Sequence, residues 1–328
     1  MELLRDADID PAPLAGKRVA ILGFGNQGRA QALNLKDSGI DVVVGLRANS
    51  ASAPLAEAQG LTVAHVENAV ASADVVMMLA PDEILGELYR EIEPHIRSGA
   101  ALGFSHGLAI HFNFIEPRDD FDVFLLAPKG PGTALRSLYQ AGQGMIALWA
   151  VAQDRSGKCR ELALAYGRAI GCARAGLMAS SFAEECEADL FNEAAVVWGA
   201  VPEILIAGFD TLVAGGVSEE VAYLECVGEL KLLAELIDER GIAGMREAIS
   251  TTAELGATLS GRRIVDAGVR ERMAEILTDI RAGKLADELK REGADSYARL
   301  KKARSEAKEL PVEHAFERLK PSRRPRGR

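Results

Sequence analysis

Hydrophobic residues in the first half of the chain fall into short runs that are separated by longer amphipathic stretches. Several of the separating stretches, such as 29–36 and 156–170, have helical character. Strands that are apolar throughout and alternate with helices are typical of a parallel sheet that is covered on both faces. The pattern predicts a doubly wound α/β domain whose strands are 18–22, 41–45, 74–79, 100–104, 122–127 and 144–151.

The pattern changes after about residue 181. Strand signals disappear there, and long helical stretches fill 183–307. The end of the chain is rich in Pro, Gly and basic residues, a composition that is typical of disorder. We therefore predict an α/β domain over 1–180, an all-helical domain over 181–316 and a basic, disordered tail over 317–328.

A glycine-rich turn follows the first strand. The sequence Gly23-Phe-Gly25-Asn-Gln-Gly28 lies between the strand 18–22 and the helical stretch 29–36. GxGxxG is a weak signal alone, but between a strand and a helix it is the dinucleotide-binding fingerprint. Gly23 would make the tight turn, Gly25 would let the backbone approach a pyrophosphate, and Gly28 would let the helix pack on the strand. The N-terminus of the helix would offer free N–H groups to the phosphates.

The loop after the second strand indicates which dinucleotide binds. NAD enzymes usually have an acidic residue about 20 residues after the first glycine, and none occurs between Asp41 and Glu57. The loop has Arg47, Ser50 and Ser52 instead. A guanidinium group and two hydroxyls suit a 2′-phosphate through charge-assisted hydrogen bonds. We therefore predict NADPH rather than NADH, with an ordinary polar loop as the alternative.

Two polar side chains follow middle strands of the predicted sheet. His106 comes after the strand 100–104, and Lys129 comes after the strand 122–127. Ligands of doubly wound sheets bind beyond the carboxyl ends of the strands. Both side chains are therefore candidates for the active site, although a single histidine or lysine at such a position is often structural.

Two pairs of carboxylates lie on apolar helical stretches in the second half of the chain. Asp189 and Glu193 are four residues apart, as are Glu225 and Glu229, so each pair shares one face of a helix. The apolar flanks predict buried helices, where carboxylates are costly unless they are paired or bind metal. Oxygen ligands without His or Cys favour Mg²⁺ or Mn²⁺. We predict an acidic site for divalent cations, with solvated helix faces as the alternative.

Composition narrows the class of protein. Of the 328 residues, 48% are hydrophobic and 26% are charged, and the net charge is −10, which argues against a nucleic-acid partner. The sequence has no run of eighteen apolar residues and no apolar segment of signal-peptide type at its start. We therefore expect a cytoplasmic protein without a membrane partner. The four cysteines have no CxxC spacing, and we expect them to be reduced.

The ordered set of motifs resembles the short (class I) ketol-acid reductoisomerases, which are also called acetohydroxy acid isomeroreductases. The resemblance covers nearly the whole chain except the basic tail. It rests on Gly-Phe-Gly-Asn-Gln-Gly (23–28), Gly-Leu-Arg (45–47), Phe-Ser-His-Gly (104–107), Ala-Pro-Lys-Gly-Pro-Gly (127–132), Glu-Glu-Cys-Glu-Ala-Asp-Leu-Phe-Asn-Glu (184–193), Gly-Phe-Asp-Thr-Leu-Val (208–213), Ala-Tyr-Leu-Glu-Cys-Val-Gly-Glu-Leu-Lys (222–231) and Ser250.

The resemblance implies a Rossmann domain followed by a knotted, all-α domain, with NADPH and two Mg²⁺ ions as cofactors. It implies that Asp189 and Glu193 bind the metal ions and that Glu225 and Glu229 contribute from the partner subunit of at least a homodimer. It also implies that Ser250 holds the substrate carboxylate. The predicted catalytic residues are His106, Lys129 and Glu229, the last as a proton shuttle. The predicted cofactor contacts are Gly23, Gly25, Asn26, Gln27, Gly28, Arg47, Ser50, Ser52, Asp82 and Gly132.

The implied reaction has two steps. An alkyl group migrates within a 2-hydroxy-2-alkyl-3-oxo acid, and NADPH then reduces the new 2-keto group to give a 2,3-dihydroxy acid. In valine and isoleucine biosynthesis the substrates are acetolactate and acetohydroxybutyrate.

Several positions depart from the pattern of the family. None is a predicted metal ligand, but several lie beside one, where they would tune the ligands. Three alternatives stay open: a specialised paralogue that acts on a related 2-keto acid, a metal-independent β-hydroxyacid dehydrogenase, and a non-catalytic, cofactor-binding scaffold. The departing residues are Asn26, Arg29, Asn192, Ala194, Gly228, Thr251, Leu255 and Ala257.

Overall fold

The computed structural model of the chain describes residues 2–320. These residues form two compact units that divide between Ala188 and Asp189. The division lies inside the helix Phe182–Phe191, shortly after the boundary that the loss of strand signals predicts.

The first unit contains one nine-stranded sheet. All six predicted strands are present. Their observed ends differ from the predicted ends by a few residues, and the difference is largest for the last of the six strands. The sequence pattern does not predict three further strands, β1, β4 and β9, because none has more than four residues. The strands are β1 (Leu3–Leu4), β2 (Arg18–Leu22), β3 (Asp41–Leu46), β4 (Thr62–His65), β5 (Val75–Met78), β6 (Ala101–Phe104), β7 (Asp122–Pro128), β8 (Ala147–Gln153) and β9 (Leu177–Ala179).

The strand order is β1-β9-β8-β7-β6-β5-β2-β3-β4. From β4 to β7 the neighbours are parallel, and this half has the strand order of a Rossmann fold. The chain reverses direction across the sheet between β2 and β5, which is the switch point where such folds bind ligands. The pairs β7–β8 and β1–β9 are antiparallel, a detail that apolar runs alone do not predict, because a buried strand is apolar in either direction.

Helices cover both faces of the sheet and close two apolar cores. One core contains Ile21, Phe124 and Tyr166, and the other contains Leu85 and Phe104. The predicted doubly wound architecture is therefore confirmed. The helices of this unit are α1 (Asn26–Asp37), α2 (Ala53–Glu57), α3 (Val66–Ala71), α4 (Asp82–Ile92), α5 (Leu108–His111), α6 (Gly132–Gln140), α7 (Cys159–Ala169) and the first part of α8 (Phe182–Phe191).

The second unit is helical, as the sequence predicts. Its small core contains Phe209 and Tyr223, which pack against Val312 and Ala315. Two π-helical turns, Asn192–Val196 and Leu224–Gly228, interrupt the helices. The helices are α9 (Ala200–Ala214), α10 (Glu219–Tyr223), α11 (Leu230–Ala248), α12 (Thr251–Ile264), α13 (Ala267–Arg281), α14 (Lys284–Ala294), α15 (Ala298–Lys308) and α16 (Pro311–Leu319).

Large apolar side chains of the second unit face outward. Neither α11 nor α12 buries a residue, and Trp198 is 70% exposed. The prediction that the helix around the first carboxylate pair is buried is therefore wrong for the single chain. An apolar face of this size is unusual on a soluble monomer and marks an interaction surface. We call it the apolar face of α11 and α12; its large exposed members are Leu232, Leu233, Ile237, Ile242, Leu255, Leu259 and Ile264.

The C-terminal tail and a long apolar stretch also differ from the expectations. Because α16 continues to Leu319, the predicted disorder is wrong for residues 317–319. Residues 321–328, the rest of the predicted tail, lie outside the described residues. The helical stretch Phe182–Ala214 is long and apolar enough to cross a membrane by length and composition alone. One such stretch is weak evidence, and the absence of a membrane partner stays a prediction.

Candidate functional site

A cavity of about 470 Å³ opens at the switch point of the sheet, beyond the carboxyl ends of β2, β3 and β5. It brings together five of the predicted cofactor contacts. The wall opposite the glycine turn is apolar, as a pocket for an adenosine group would be. The lining includes Gly23, Gly25, Arg47, Ser50, Ser52, Pro81, Ile84 and Leu88.

Gly23 and Gly28 have the structural roles that the fingerprint predicts, and Gly25 has room for the predicted ligand. Gly23 has a φ of +99°, and a Cβ there would lie 2.7 Å from the Leu79 carbonyl oxygen. A Cβ on Gly28 would lie 2.4 Å from the Gly23 carbonyl oxygen, so α1 can pack on β2 only without a side chain. A Cβ on Gly25 would have no other atom within 4 Å of it. Open space at that turn is what a close-lying pyrophosphate requires.

Asn26, Gln27 and Gly132 lie where α1 and α6 begin side by side. A Cβ on Gly132 would lie 2.0 Å from the Asn26 carbonyl oxygen, so the two helix starts are in van der Waals contact. The Gln27 amide donates to the Gly130 carbonyl at 2.9 Å. Gln27 therefore connects the glycine turn to the loop after β7, which also carries Lys129.

The side chain of Arg47 is half exposed at the rim of the cavity, with its guanidinium 3.9 Å from the carboxylate of Glu91. A surface ion pair at this distance holds the side chain weakly. The guanidinium is therefore available to an anionic ligand in the cavity.

His106 is held by a carboxylate from the neighbouring loop. Its Nδ1 lies 3.0 Å from Oδ2 of Asp82, the first residue of α4. Asp82 does not line the 470 Å³ cavity. Burial lowers the pKa of His106, but hydrogen bonds to Asp82 and Cys186 and the charges of Asp82 and Glu185 outweigh it and raise that pKa well above 6.5. The protonated ring therefore persists to a higher pH than in a free histidine.

Lys129 is held by the buried carboxylate of Glu185 in α8. The Lys129 ammonium donates to Glu185 Oε1 at 2.9 Å, and the Gly107 N–H donates to Glu185 Oε2 at 2.8 Å. Glu185 is only 1% exposed, so both bonds form in a medium that strengthens them. One carboxylate thereby fixes the loops after β6 and β7 relative to each other.

The predicted metal ligands of the second unit coincide with its π-helical turns. Asp189 precedes the turn Asn192–Val196, which contains Glu193, and Glu225 lies in the turn Leu224–Gly228, directly before Glu229. π-Helical turns are rare and occur frequently at functional sites. Glu225 and Glu229 also line a cavity of about 410 Å³ whose other walls are mostly leucines and small apolar residues.

Within the described residues of a single chain, the four predicted ligand carboxylates do not form one cluster. Among residues 2–320, no group of three His, Cys, Asp or Glu side chains is placed to hold a metal ion. The donor set itself fits Mg²⁺, since it consists of carboxylate oxygens. Ser250, the predicted substrate contact, is the N-cap of α12, where its Oγ accepts from the Ala253 N–H at 3.2 Å. A hydroxyl that accepts there can still donate to a carboxylate.

Two family models match the chain in sequence. The acetohydroxy acid isomeroreductase NADPH-binding domain matches residues 13–176, and the ketol-acid reductoisomerase C-terminal domain matches residues 182–324. The chain belongs to the ketol-acid reductoisomerase family. The resemblance seen in the motifs is therefore confirmed, and the protein is an oxidoreductase with a nicotinamide cofactor.

Solved structures agree with this assignment. An NADH-preferring ketol-acid reductoisomerase from an uncultured archean is 39% identical, with a TM-score of 0.95; the match covers 99% of this chain and 100% of that one. A semialdehyde dehydrogenase NAD-binding protein from Cupriavidus necator is 19% identical, with a TM-score of 0.61; the match covers 81% of this chain and 99% of that one. At that identity the second structure shows only a shared fold.

Three of the eight positions that depart from the family pattern lie in the π-helical turns. Asn192 and Ala194 lie in the first turn, and Gly228 ends the second. The Asn192 carbonyl accepts from the Val197 N–H at 2.9 Å, a bond that spans five residues. These three departures therefore lie on the backbone that sets the direction of the predicted ligands.

Two residues that contact Lys129 and His106, Glu185 and Cys186, are not among the site residues predicted from the sequence. Glu185 lies four residues before Asp189, so it repeats the spacing that singled out Asp189 and Glu193. That spacing could have identified it. The contact of Cys186 with His106 could not be inferred, because nothing in the sequence shows which face of α8 lies against the loop after β6.

Proposed function

We propose that this protein is an NADPH- and Mg²⁺-dependent reductoisomerase that converts acetolactate and acetohydroxybutyrate into 2,3-dihydroxy acids in the cytoplasm. One observation carries the proposal. Two basic side chains, Lys129 and His106, are fixed by carboxylates at the same sheet edge as the cavity of about 470 Å³. Fixed cations at such an edge suit the reduction of an anionic keto acid.

The preference for NADPH is supported by the loop after β3. Arg47, Ser50 and Ser52 line the cavity, and the loop has no acidic residue that would bind a ribose 2′-hydroxyl or repel a 2′-phosphate. The similar reductoisomerase from an uncultured archean prefers NADH. The two proteins would then differ in cofactor choice at this loop.

The metal requirement is supported by the donor chemistry. Asp189 and Glu193 of one subunit, with Glu225 and Glu229 of another, would hold the Mg²⁺ ions. When bound, the ions supply Lewis-acid polarisation of the substrate oxygens. The apolar face of α11 and α12 supports a shared site, because a second chain would have to cover that face.

The first step of the reaction moves a proton as well as an alkyl group. The C2 hydroxyl loses its proton while the alkyl group passes from C2 to C3, and the C3 oxygen becomes a hydroxyl. A carboxylate such as Glu229 can accept and return that proton. NADPH supplies the hydride of the second step to C2, and the new C2 oxygen takes up a proton.

Lys129 and His106 would act on developing negative charge. Both are preorganised donors, because Glu185 and Asp82 fix their positions before substrate arrives. Donors that need no reorganisation stabilise an oxyanion far better than water does. Ser250 would orient the substrate through its carboxylate.

The test is the oxidation of NADPH, followed at 340 nm, with acetolactate as substrate and with or without Mg²⁺. We expect turnover with Mg²⁺, loss of turnover with EDTA, and recovery when Mg²⁺ is restored. NADPH oxidation that persists in EDTA would indicate a metal-independent β-hydroxyacid dehydrogenase instead. NADPH and Mg²⁺ binding without turnover of any 2-keto acid would indicate a scaffold.

A related 2-keto acid is a second candidate substrate. The departures at Asn192, Ala194 and Gly228 favour it, because they lie in the π-helical turns that carry or adjoin the predicted ligands. Acetolactate and acetohydroxybutyrate should therefore be compared with 2-hydroxy-3-oxo acids that carry larger alkyl groups. A higher kcat/KM for a larger acid would identify the specialised paralogue.

A further inference from the structure

The carboxylate of Asp82 lies at the sheet edge without joining the dinucleotide cavity. It follows β5, the strand beside the switch point, where doubly wound sheets bind their ligands. The cavity is lined by its neighbours Pro81 and Ile84, but not by Asp82. The side chain is directed to His106 instead, at 3.0 Å from Nδ1.

The partner of this carboxylate is held rigidly. Gly107, next to His106, lies so close to α8 that a Cβ there would be 2.2 Å from the Phe182 carbonyl oxygen. The Gly107 N–H donates to Glu185, and the Cys186 thiol interacts with the His106 ring. The backbone of this loop is thus fixed by α8, and rotation of the imidazole is limited by Asp82.

We propose that Asp82 is a positioning residue that orients the His106 imidazole. A carboxylate at Nδ1 fixes the ring orientation and keeps a proton on that nitrogen. The same arrangement of carboxylate and imidazole controls the active histidine of many unrelated enzymes. This role of Asp82 depends on the proposed function only where kcat and KM are measured.

The experiment compares Asp82→Asn and Asp82→Ala with the wild-type protein and with Glu87→Gln. Glu87 is an exposed residue of the same helix, so its variant removes one carboxylate from α4 without touching His106. Asp82→Asn keeps the shape of the side chain and an oxygen acceptor. It provides the comparison with the wild type if the alanine variant fails to fold. Each protein is measured for NADPH dissociation constant, for kcat and KM, and for the ¹⁵N chemical shifts of His106.

We expect both Asp82 variants to bind NADPH within about twofold of the wild type. We expect kcat to fall by about tenfold or more in Asp82→Ala, because a positioned proton donor contributes about a hundredfold or more. Asp82→Asn should recover part of this loss. The His106 ¹⁵N signals should shift in both variants and stay unchanged in Glu87→Gln.

Three results would overturn the assignment. They are a NADPH dissociation constant that rises tenfold or more in either variant, unchanged His106 signals, and a kcat that stays at the wild-type value while the wild type turns over. If the wild type does not turn over acetolactate, the proposed function fails by itself. The His106 spectra and the NADPH affinity then still decide the role of Asp82.

Discussion

The ammonium group of Lys129 lies 2.9 Å from the carboxylate of Glu185, and that carboxylate is almost completely buried. Glu185 also accepts the N–H of Gly107. A single side chain of α8 therefore fixes the loops that carry Lys129 and His106. Buried pairs of this kind are costly to break from one side, because the remaining charge keeps its desolvation penalty.

Removing the ammonium group should destabilise the first unit. We expect Lys129→Met to lower the free energy of unfolding by about 2 kcal/mol, because Glu185 loses its counter-charge. Glu185→Gln should cost less, since the amide oxygen can still accept from Gly107. In urea unfolding, the free energy that the double variant loses should be smaller than the sum of the two single losses by about 1 kcal/mol. Additive losses would show that the pair is not coupled, and exposed Lys158→Met serves as the control.

Two glycines of the dinucleotide turn should respond differently to alanine. Gly23→Ala should lower the free energy of unfolding by about 2 kcal/mol or more, because φ is +99° and the Cβ would meet the Leu79 carbonyl. Gly25→Ala has open space around it and should stay within about 1 kcal/mol of the wild type. It should nevertheless bind NADPH more weakly, since the methyl group would occupy the place of the pyrophosphate. Thermal unfolding and NADPH fluorescence titration separate the two effects, and unchanged affinity in Gly25→Ala would contradict the predicted phosphate position.

The outcome at these glycines shows what sequence can and cannot predict. A strand, a glycine turn and a helix occur in consecutive residues, so the sequence alone predicts Gly23, Gly25 and Gly28 with their separate roles. The contact between Lys129 and Glu185 joins residues 56 positions apart, and it depends on how α8 packs on the sheet. For the apolar helices around the two carboxylate pairs the sequence predicts burial, whereas Trp198 and Leu224 are 70% and 47% exposed in the single chain. Periodicity shows which residues avoid water but not which chain covers them.

Arg47 should determine the preference for the phosphorylated cofactor. We expect Arg47→Ser to raise the NADPH dissociation constant by about tenfold or more, because a charge-assisted hydrogen bond contributes about 1.5–3 kcal/mol. NADH affinity should change little, since NADH has no 2′-phosphate. Arg90→Ser, on the exposed side of α4, removes the same charge elsewhere and should alter neither affinity. Equal weakening of NADH and NADPH would show that Arg47 does not bind the phosphate.

The raised pKa of His106 should make stability depend on pH. Burial alone lowers its pKa, but Asp82, Cys186 and the charge of Glu185 raise it well above 6.5. A raised pKa in the folded state stabilises the protein fully below the pKa of the unfolded state, about 6.5, and this contribution disappears as pH rises through the folded-state pKa. The difference in unfolding free energy between the wild type and Asp82→Asn should therefore be largest near pH 6 and shrink toward alkaline pH. A difference that is constant with pH would refute the ion pair.

The apolar face of α11 and α12 should be the contact between subunits. Leu259 is 65% exposed and touches no buried core in the single chain, so a glutamate there should leave an isolated subunit folded. In a dimer the same charge would be buried without a partner, which is strongly unfavourable. We expect the wild type to have the mass of at least two 35.0 kDa chains by light scattering and Leu259→Glu to be a monomer.

Loss of the dimer should also abolish the metal-dependent reaction, because Glu225 and Glu229 would no longer reach the Asp189 and Glu193 of a partner. NADPH binding should persist, since the glycine turn and Arg47 belong to the first unit. Leu55→Glu makes the same change at a 59% exposed leucine of the first unit and should leave the mass unchanged. A monomeric Leu259→Glu protein with wild-type turnover would show that each subunit holds a complete metal site.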